Sequence, residues 1–378
     1  MTGSKSARLL DLLQIDMPII QAPMAGISSP DMAAAVANAG GLGSIGVGAT
    51  NAAGTRKMIA AVREHTKRAF NVNVFCHRPA RPDAEIDAAW LDRLRPEFQR
   101  LGAEPPAGLT PIYRSFLEDD DMLAALLDER PPVVSFHFGV PSQDRVRALR
   151  DAGITLLGSA TSLAEARAVV AAGAHAVVAQ GYEAGGHRGV FDPDAVDDRL
   201  GTMALTRLLV RNLDVPVIAA GGIMDGAGIV AALKLGAGAA QLGTAFVTTD
   251  ESLADAGYRT AMRSDAAHHT VMTAVLSGRP ARCLANRFTA LGAGVDFADI
   301  PSYPLAYDAG KALNAAGKAV GEAGYGAQWA GQGAPLARSQ RPWAAPGRRP
   351  ACRPPGSMTC CACWCKAVRH AGMPAAAD

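Results

Sequence analysis

Catalysis on small molecules needs groups that donate or accept protons near neutral pH, placed where the backbone lets a ligand approach. The segment Gln180-Gly181-Tyr182-Glu183-Ala184-Gly185-Gly186-His187-Arg188-Gly189 offers both. Neutral imidazole at His187 can accept a proton, and imidazolium there can pair with an anion. The glycines around it leave little side-chain packing to account for a histidine, which argues against a plain surface residue. Glu183 reads as a turn or ion-pair residue.

Two further loops have the chemistry of an anion site. Ala220-Gly221-Gly222-Ile223 and Gln241-Leu242-Gly243-Thr244 each end an apolar run in glycine. Glycine lets backbone N–H groups close on a phosphate, and Thr244 adds a hydroxyl donor. Either loop alone is explained by turn geometry; the pair favours a phosphate-bearing ligand. Gly41-Leu42-Gly43-Ser44-Ile45-Gly46 also satisfies GxGxxG, with Glu64 downstream. A dinucleotide fingerprint must follow a strand and open a helix, whereas this one follows a helix and contains the strand. It is set aside.

A third group lies near the C-terminal side. Tyr303, Tyr307 and Lys311 are spaced i, i+4, i+8, so on a helix they share one face. Tyrosines commonly pack and lysines commonly solvate, yet the whole chain has only 6 tyrosines.

The elements that must position these groups are legible from hydrophobic runs. Strands are expected at 19–24, 42–46, 70–75, 132–138, 155–159, 176–181, 216–220 and 239–246. The runs are continuous, as for parallel strands covered on both faces. Helices between them carry caps: Ser29 with Pro30 behind it, and a Ser162/Glu165 capping box closed by Gly173. Eight such units predict a (β/α)8 TIM barrel, with a doubly wound open sheet as the competing topology. In such barrels chemistry sits at strand C-termini, and phosphate sits after strands seven and eight. Both assignments fall on the segments above.

Two stretches interrupt the rhythm. Residues 77–130 are long for one connection and predict helices over the barrel mouth. Residues 251–310 read as a smaller, mainly helical cap inserted after strand eight. A helix near 305–320 and the segment 325–333 return the chain to the barrel. The expected organisation is a barrel over 1–250, a substrate-side cap over 251–310, a return over 311–340 and an atypical tail over 341–378. That tail is rich in Pro, Arg and Cys and lacks paired CxxC spacing, so it reads as a disordered extension, of the kind a shifted frame would write, and not as a metal site.

Composition bounds the function class. The chain has 378 residues, 49% hydrophobic and 19% charged, which is enough for a substantial core. A net charge of +2 suggests neither a nucleic-acid nor a membrane-surface partner. No signal peptide or membrane span is evident, so the expected location is cytoplasmic. Only Cys76 and Cys283 precede residue 341, which excludes a disulfide framework there.

The ordered set QAPMAG (21–26), NAGGLGSIG (38–46), NVNVF (71–75), VVSFHFG (133–139), QGYEAGGHRG (180–189), AAGGI (219–223) and QLGTAF (241–246) resembles the nitronate monooxygenases, also called 2-nitropropane dioxygenases. SYPLAYDAGKAL (302–313) is similar to the pocket segment of the bacterial class I enzymes. The resemblance spans residues 15–338 and implies FMN in the barrel mouth. Ala22, Pro23 and Met24 would line the isoalloxazine, with Asn73 and Gln180 in polar contact. Gly185, Gly222, Gln241, Gly243 and Thr244 would hold the ribityl chain and phosphate. It implies His187 as base or substrate anchor, and Tyr113, His137, Tyr258, Tyr303, Tyr307 and Lys311 as a pocket for a small anionic nitronate such as propionate 3-nitronate. The expected reaction is oxidation of the nitronate by O2 to a carbonyl compound and nitrite, with no resident metal; a homodimer is left open. The competing readings are an NADH-dependent FMN reductase of the same fold, acting on enoyl thioesters or quinones, and a flavin-binding protein without turnover.

Overall fold

Alternating faces of eight short strands build the core. In the computed structural model, which describes residues 3–337, the strands in chain order are β1 (Ile19–Gln21), β2 (Gly43–Gly46), β3 (Phe70–Phe75), β4 (Val133–His137), β5 (Thr155–Ala160), β6 (Ala176–Gln180), β7 (Gly186–His187), β8 (Val217–Ala220), β9 (Ala239–Leu242), β10 (Thr270–Thr273) and β11 (Ala281–Leu284). Strands β1–β6, β8 and β9 form one parallel sheet in the order β1-β9-β8-β6-β5-β4-β3-β2. A parallel bridge between Ile20 and Leu42 joins its two edges. The result is the (β/α)8 TIM barrel, not the open sheet. The expected tail, 341–378, lies outside the described residues.

The continuous apolar runs are explained by two cores. Val134, Leu156 and Val177 point outward into a cluster with helix residues such as Leu149, Val169 and Leu205. Val133, Leu157 and Val178 point inward, where Leu9 and Leu13 of the helix Gly3–Leu13 pack with them. A strand buried on both faces needs hydrophobic residues at both parities.

Local signals act largely as read. Ser29 Oγ accepts from the Met32 N–H, with Pro30 in the first turn, and Gly40 takes φ +95° beyond the helix end. Ser162 accepts from the Glu165 N–H. The reciprocal half of that capping box is absent, because the Glu165 carboxylate instead binds the N–H and hydroxyl of Thr161, both at 2.7 Å.

The two interrupting stretches build the cap. Helix Ala84–Arg100 packs Trp90, Leu94 and Phe98 against Ala309 and Leu313 of the helix Leu305–Ala319. Helix Asp120–Glu129 instead belongs to the barrel wall, its Met122 and Leu126 joining the outer core. Beside the helices Ala256–Met262 and Arg287–Leu291, residues 251–310 carry the antiparallel hairpin β10–β11. Strand β7 pairs with β11, His187 opposite Ala281, and so ties the His187 loop to the cap.

Candidate active site

Towards the C-terminal ends of the strands the inward-facing positions change from apolar to polar. On β4 the series is Val133, Ser135, His137; on β5 it is Leu157, Ser159; on β6 it is Val178, Gln180. Because strand side chains alternate, each polar residue stands above an apolar one on the same face. Ser135, His137, Ser159 and Gln180 line one cavity together with Asn73 and Gln241. Ala22, Pro23, Met24, Gly185, Gly222, Gly243, Thr244, His187, Tyr113, Tyr258, Tyr303 and Tyr307 line the same cavity. Of the site residues that the resemblance implies, Lys311 alone does not.

One wall is made of backbone. Gly221 and Gly222 take φ +121° and +67°, a region open to glycine, which turns the chain sharply after β8. Gly243 leads into the one-turn 3-10 helix Thr244–Phe246 after β9. The N–H groups of Gly222, Ile223, Gly243 and Thr244 find no acceptor among the described residues. Thr244 Oγ1 accepts from the Gly331 N–H at 3.0 Å, which leaves its own proton free to donate. A Cβ at Gly185 would run into the Gly331 nitrogen and the Ala330 backbone. Unpaired donors converging after strands seven and eight fit a bound phosphate. Glu183, read as a turn or ion-pair residue, lies in a turn and pairs with no cation among the described residues; its carboxylate accepts from the N–H and hydroxyl of Thr202, at 2.7 and 2.9 Å, at the start of the helix Thr202–Asn212.

The opposite wall is made of rings. His187 is not loosely packed, as its glycine-rich neighbourhood suggested. Its ring centroid lies 4.9 Å from Trp329, 5.3 Å from Tyr303, 5.6 Å from Phe138 and 6.0 Å from Tyr307. Folding of β7 onto the cap hairpin supplies neighbours from distant sequence. Burial, with His137, Arg279 and His77 nearby, holds the His187 imidazole well below the usual histidine range, so it is neutral at pH 7. Its Nε2 lies 2.8 Å from Ser277 Oγ.

His137 is also neutral, pushed down to about 4 by burial. Its Nε2 faces the His187 carbonyl at 3.3 Å and its Nδ1 faces Ser159 Oγ at 3.1 Å. A carbonyl only accepts, so the proton sits on Nε2 and Ser159 donates to Nδ1. Gln180 donates to the same carbonyl at 2.9 Å and accepts from the Gly189 N–H at 2.7 Å. Both ends of its amide therefore brace the His187 loop. Asn73 Nδ2 is likewise held by Ser135, at 2.9 Å to the hydroxyl.

The tyrosines differ from one another. Tyr258 donates its hydroxyl to the Trp329 carbonyl, so that proton is not offered to a ligand. Tyr303 is buried and its hydroxyl has no partner among the described residues. Burial raises the phenols of Tyr303 and Tyr307, and lifts that of Tyr113 to about 12, so all three stay protonated donors at neutral pH. The predicted shared helical face is corrected: Tyr303 precedes the helix, which begins at Leu305, and only Tyr307 and Lys311 lie on it. The Lys311 ammonium stands 4.9 Å over the Tyr113 ring and 5.5 Å over the Tyr307 ring, outside the cavity. It adds positive potential behind two of the phenols.

Sequence reasoning missed Trp329, Phe138, Ser135, Ser159, Ser277 and Arg279. Period-two reading back from His137 on β4 would have found Ser135, and forward from Leu157 on β5 would have found Ser159. Arg279 donates to the Val190 carbonyl and lies 4.4 Å over the Phe138 ring, a buried cation beneath the aromatic wall. Nothing local marks Ser277 or Arg279, because the hairpin turn reaches the site only through tertiary pairing. Among the described residues no His, Cys, Asp and Glu cluster could hold a metal, and no helix is long and apolar enough to cross a membrane.

Comparison with known proteins agrees with this geometry. The nitronate monooxygenase family model matches residues 6–344. A nitronate monooxygenase of Paraburkholderia phytofirmans is 64% identical over 315 residues, covering 83% of this chain and 86% of that protein. One from Pseudomonas aeruginosa is 56% identical over 311 residues, covering 82% and 88%. Among solved structures, nitroalkane oxidase from Streptomyces ansochromogenes superposes with a TM-score of 0.79 at 42% identity, covering 87% of this chain and 93% of that one. FabK from Thermotoga maritima gives a TM-score of 0.66 at 32% identity, covering 87% and 89%. The chain is an oxidoreductase of the nitronate monooxygenase family.

Proposed function

We propose that this protein uses FMN and O2 to oxidise small anionic alkyl nitronates, of the propionate 3-nitronate type, to a carbonyl compound and nitrite. The observation that carries the reading is one cavity with two unlike walls: unpaired backbone donors after β8 and β9, and a neutral imidazole among protonated phenols opposite.

The backbone wall fits the FMN phosphate, through Gly222, Ile223, Gly243 and Thr244. Ala22, Pro23 and Met24 would then lie along the isoalloxazine. Bound there, FMN would supply the redox chemistry that links the nitronate to O2. The rest falls to side chains. The hydroxyls of Tyr113, Tyr303 and Tyr307 donate to carboxylate and nitronate oxygens. The ring-lined wall excludes water and strengthens those hydrogen bonds. With a neutral nitroalkane, His187 takes the proton from the α-carbon; the C–H electron pair moves into the nitro group and leaves a nitronate. Neutral imidazole suits that role, whereas a charged anion anchor at His187 is disfavoured by its burial.

Oxygen uptake and nitrite release with propionate 3-nitronate, measured with and without NADH, test the proposal. Uptake without NADH is the expected result. Absence of uptake, together with anaerobic bleaching of the flavin by NADH, would replace it with the reductase reading.

A further inference from the structure

His187 presents two ring nitrogens, and only one has a protein partner among the described residues. Nε2 lies 2.8 Å from Ser277 Oγ, and that hydroxyl donates to the Arg279 carbonyl at 3.3 Å. No partner of Nδ1 is found among the described residues, nor is it an orphaned buried atom. A serine hydroxyl has one proton. If it goes to the Arg279 carbonyl, which can only accept, Oγ must accept from Nε2–H. Nε2, the hydroxyl and the Arg279 carbonyl are then all paired, and Nδ1 presents its lone pair to the cavity. The reverse assignment takes the hydroxyl proton away from the Arg279 carbonyl, which has no other donor among the described residues.

We propose that Ser277 is the positioning residue of this site: its hydroxyl holds the proton on His187 Nε2 and so presents Nδ1 as the atom that accepts the substrate proton. This rests on His187 acting as the base.

The device is rigidly mounted. Ser277 is fully buried and lies in the turn between β10 and β11. The N–H groups of Ser277 and Gly278 both donate to the Ala274 carbonyl, at 3.1 and 2.7 Å. Gly278 takes φ +85°, and a Cβ there would run into the backbone of Pro301 and Tyr303. The turn is therefore pressed against the segment that carries Tyr303. From the other side, the Arg188 N–H donates to the Pro280 carbonyl at 2.8 Å, beside His187. Tautomer and ring orientation are thus fixed by main chain from outside the barrel, through one hydroxyl. That is the logic of a histidine oriented by its second nitrogen.

The test reads the tautomer directly. Long-range 15N–1H correlation spectra of 15N-histidine-labelled, FMN-saturated protein show which ring nitrogen is protonated, with His187 assigned by its loss in His187→Asn. The expected spectrum has the proton on Nε2; a proton on Nδ1 overturns the proposal, even if the variants below fail to fold. In Ser277→Ala, turnover of neutral nitroalkanes should fall about tenfold or more, within the range of general-base effects. Turnover of preformed nitronates should change less than about threefold, and Ser277→Thr should restore the Nε2–H signal. Equal loss on both substrates with the Nε2–H signal intact in wild type would remove the base role of His187, and Ser277's part in it, while leaving the nitronate reading untouched.

Discussion

The two walls of the cavity offer polar groups by different means. The barrel side uses main-chain N–H groups at Gly222, Ile223, Gly243 and Thr244, placed by turn geometry after β8 and β9. The cap side uses side chains, Tyr303, Tyr307 and Trp329, brought together with His187 by the β7–β11 pairing. Backbone donors cannot be removed by truncating a side chain, only displaced by adding one. Ring hydroxyls and imidazole can be removed singly. Cofactor affinity should therefore respond to glycine replacement, and turnover to replacements on the cap side.

The largest expected effect separates the walls most sharply. His187→Asn should lower kcat on neutral nitroalkanes by about 100-fold or more, with FMN content unchanged by absorbance and with nitronate turnover far less affected. In the wild type, neutral imidazole is present above its depressed pKa and lost as pH falls through it. The acid limb of the nitroalkane pH profile should then lie below the usual histidine value of about 6.5; a limb at or above it would mean that His187 does not act as the neutral base.

Gly185→Ala should act on the other wall. Its Cβ meets main chain at Ala330 and Gly331, which cannot rotate away. Overpacking of about 1–3 kcal/mol implies FMN affinity weakened about 5–150-fold by fluorescence titration. Retained affinity with lost turnover would erase the distinction between the walls.

Two tyrosines sharpen it further. Tyr303→Phe should raise the KM for nitronate about tenfold, the worth of a hydrogen bond to a charged group. Its melting temperature should not fall, because the hydroxyl has no partner among the described residues to lose. Tyr258→Phe should do the reverse, costing about 1 kcal/mol of stability through the lost bond to Trp329, with little change in KM. Lys311→Met should have the smallest effect. An exposed ammonium outside the cavity is worth about 1 kcal/mol or less, so KM should rise only a few-fold, and less at high salt.

Legibility in the sequence followed the same division. Barrel strands could be read because each is buried on both faces, so their hydrophobic runs are continuous and stand out from the helices between them. The glycine loops could be read because turn chemistry is local. The cap could not: Ser277 and Arg279 acquire meaning only when β11 pairs with β7, a contact across about ninety residues of chain. Spacing misled at Tyr303, where Pro304 delays the helix to Leu305 and only two of three residues share its face. At His187, glycine neighbours concealed a wall of rings supplied from elsewhere. The resemblance pointed to Tyr113, His137, Tyr258, Tyr303 and Tyr307 beside His187, and all of them line the one cavity with it.

The central claim is that the cavity delivers an anionic nitronate to a flavin without a nicotinamide donor. Anaerobic rapid mixing of the FMN-loaded protein with propionate 3-nitronate, and separately with NADH, addresses it most directly. The account predicts that the nitronate changes the flavin absorbance within the turnover time and that NADH does not. Flavin bleached by NADH and unmoved by the nitronate would contradict it.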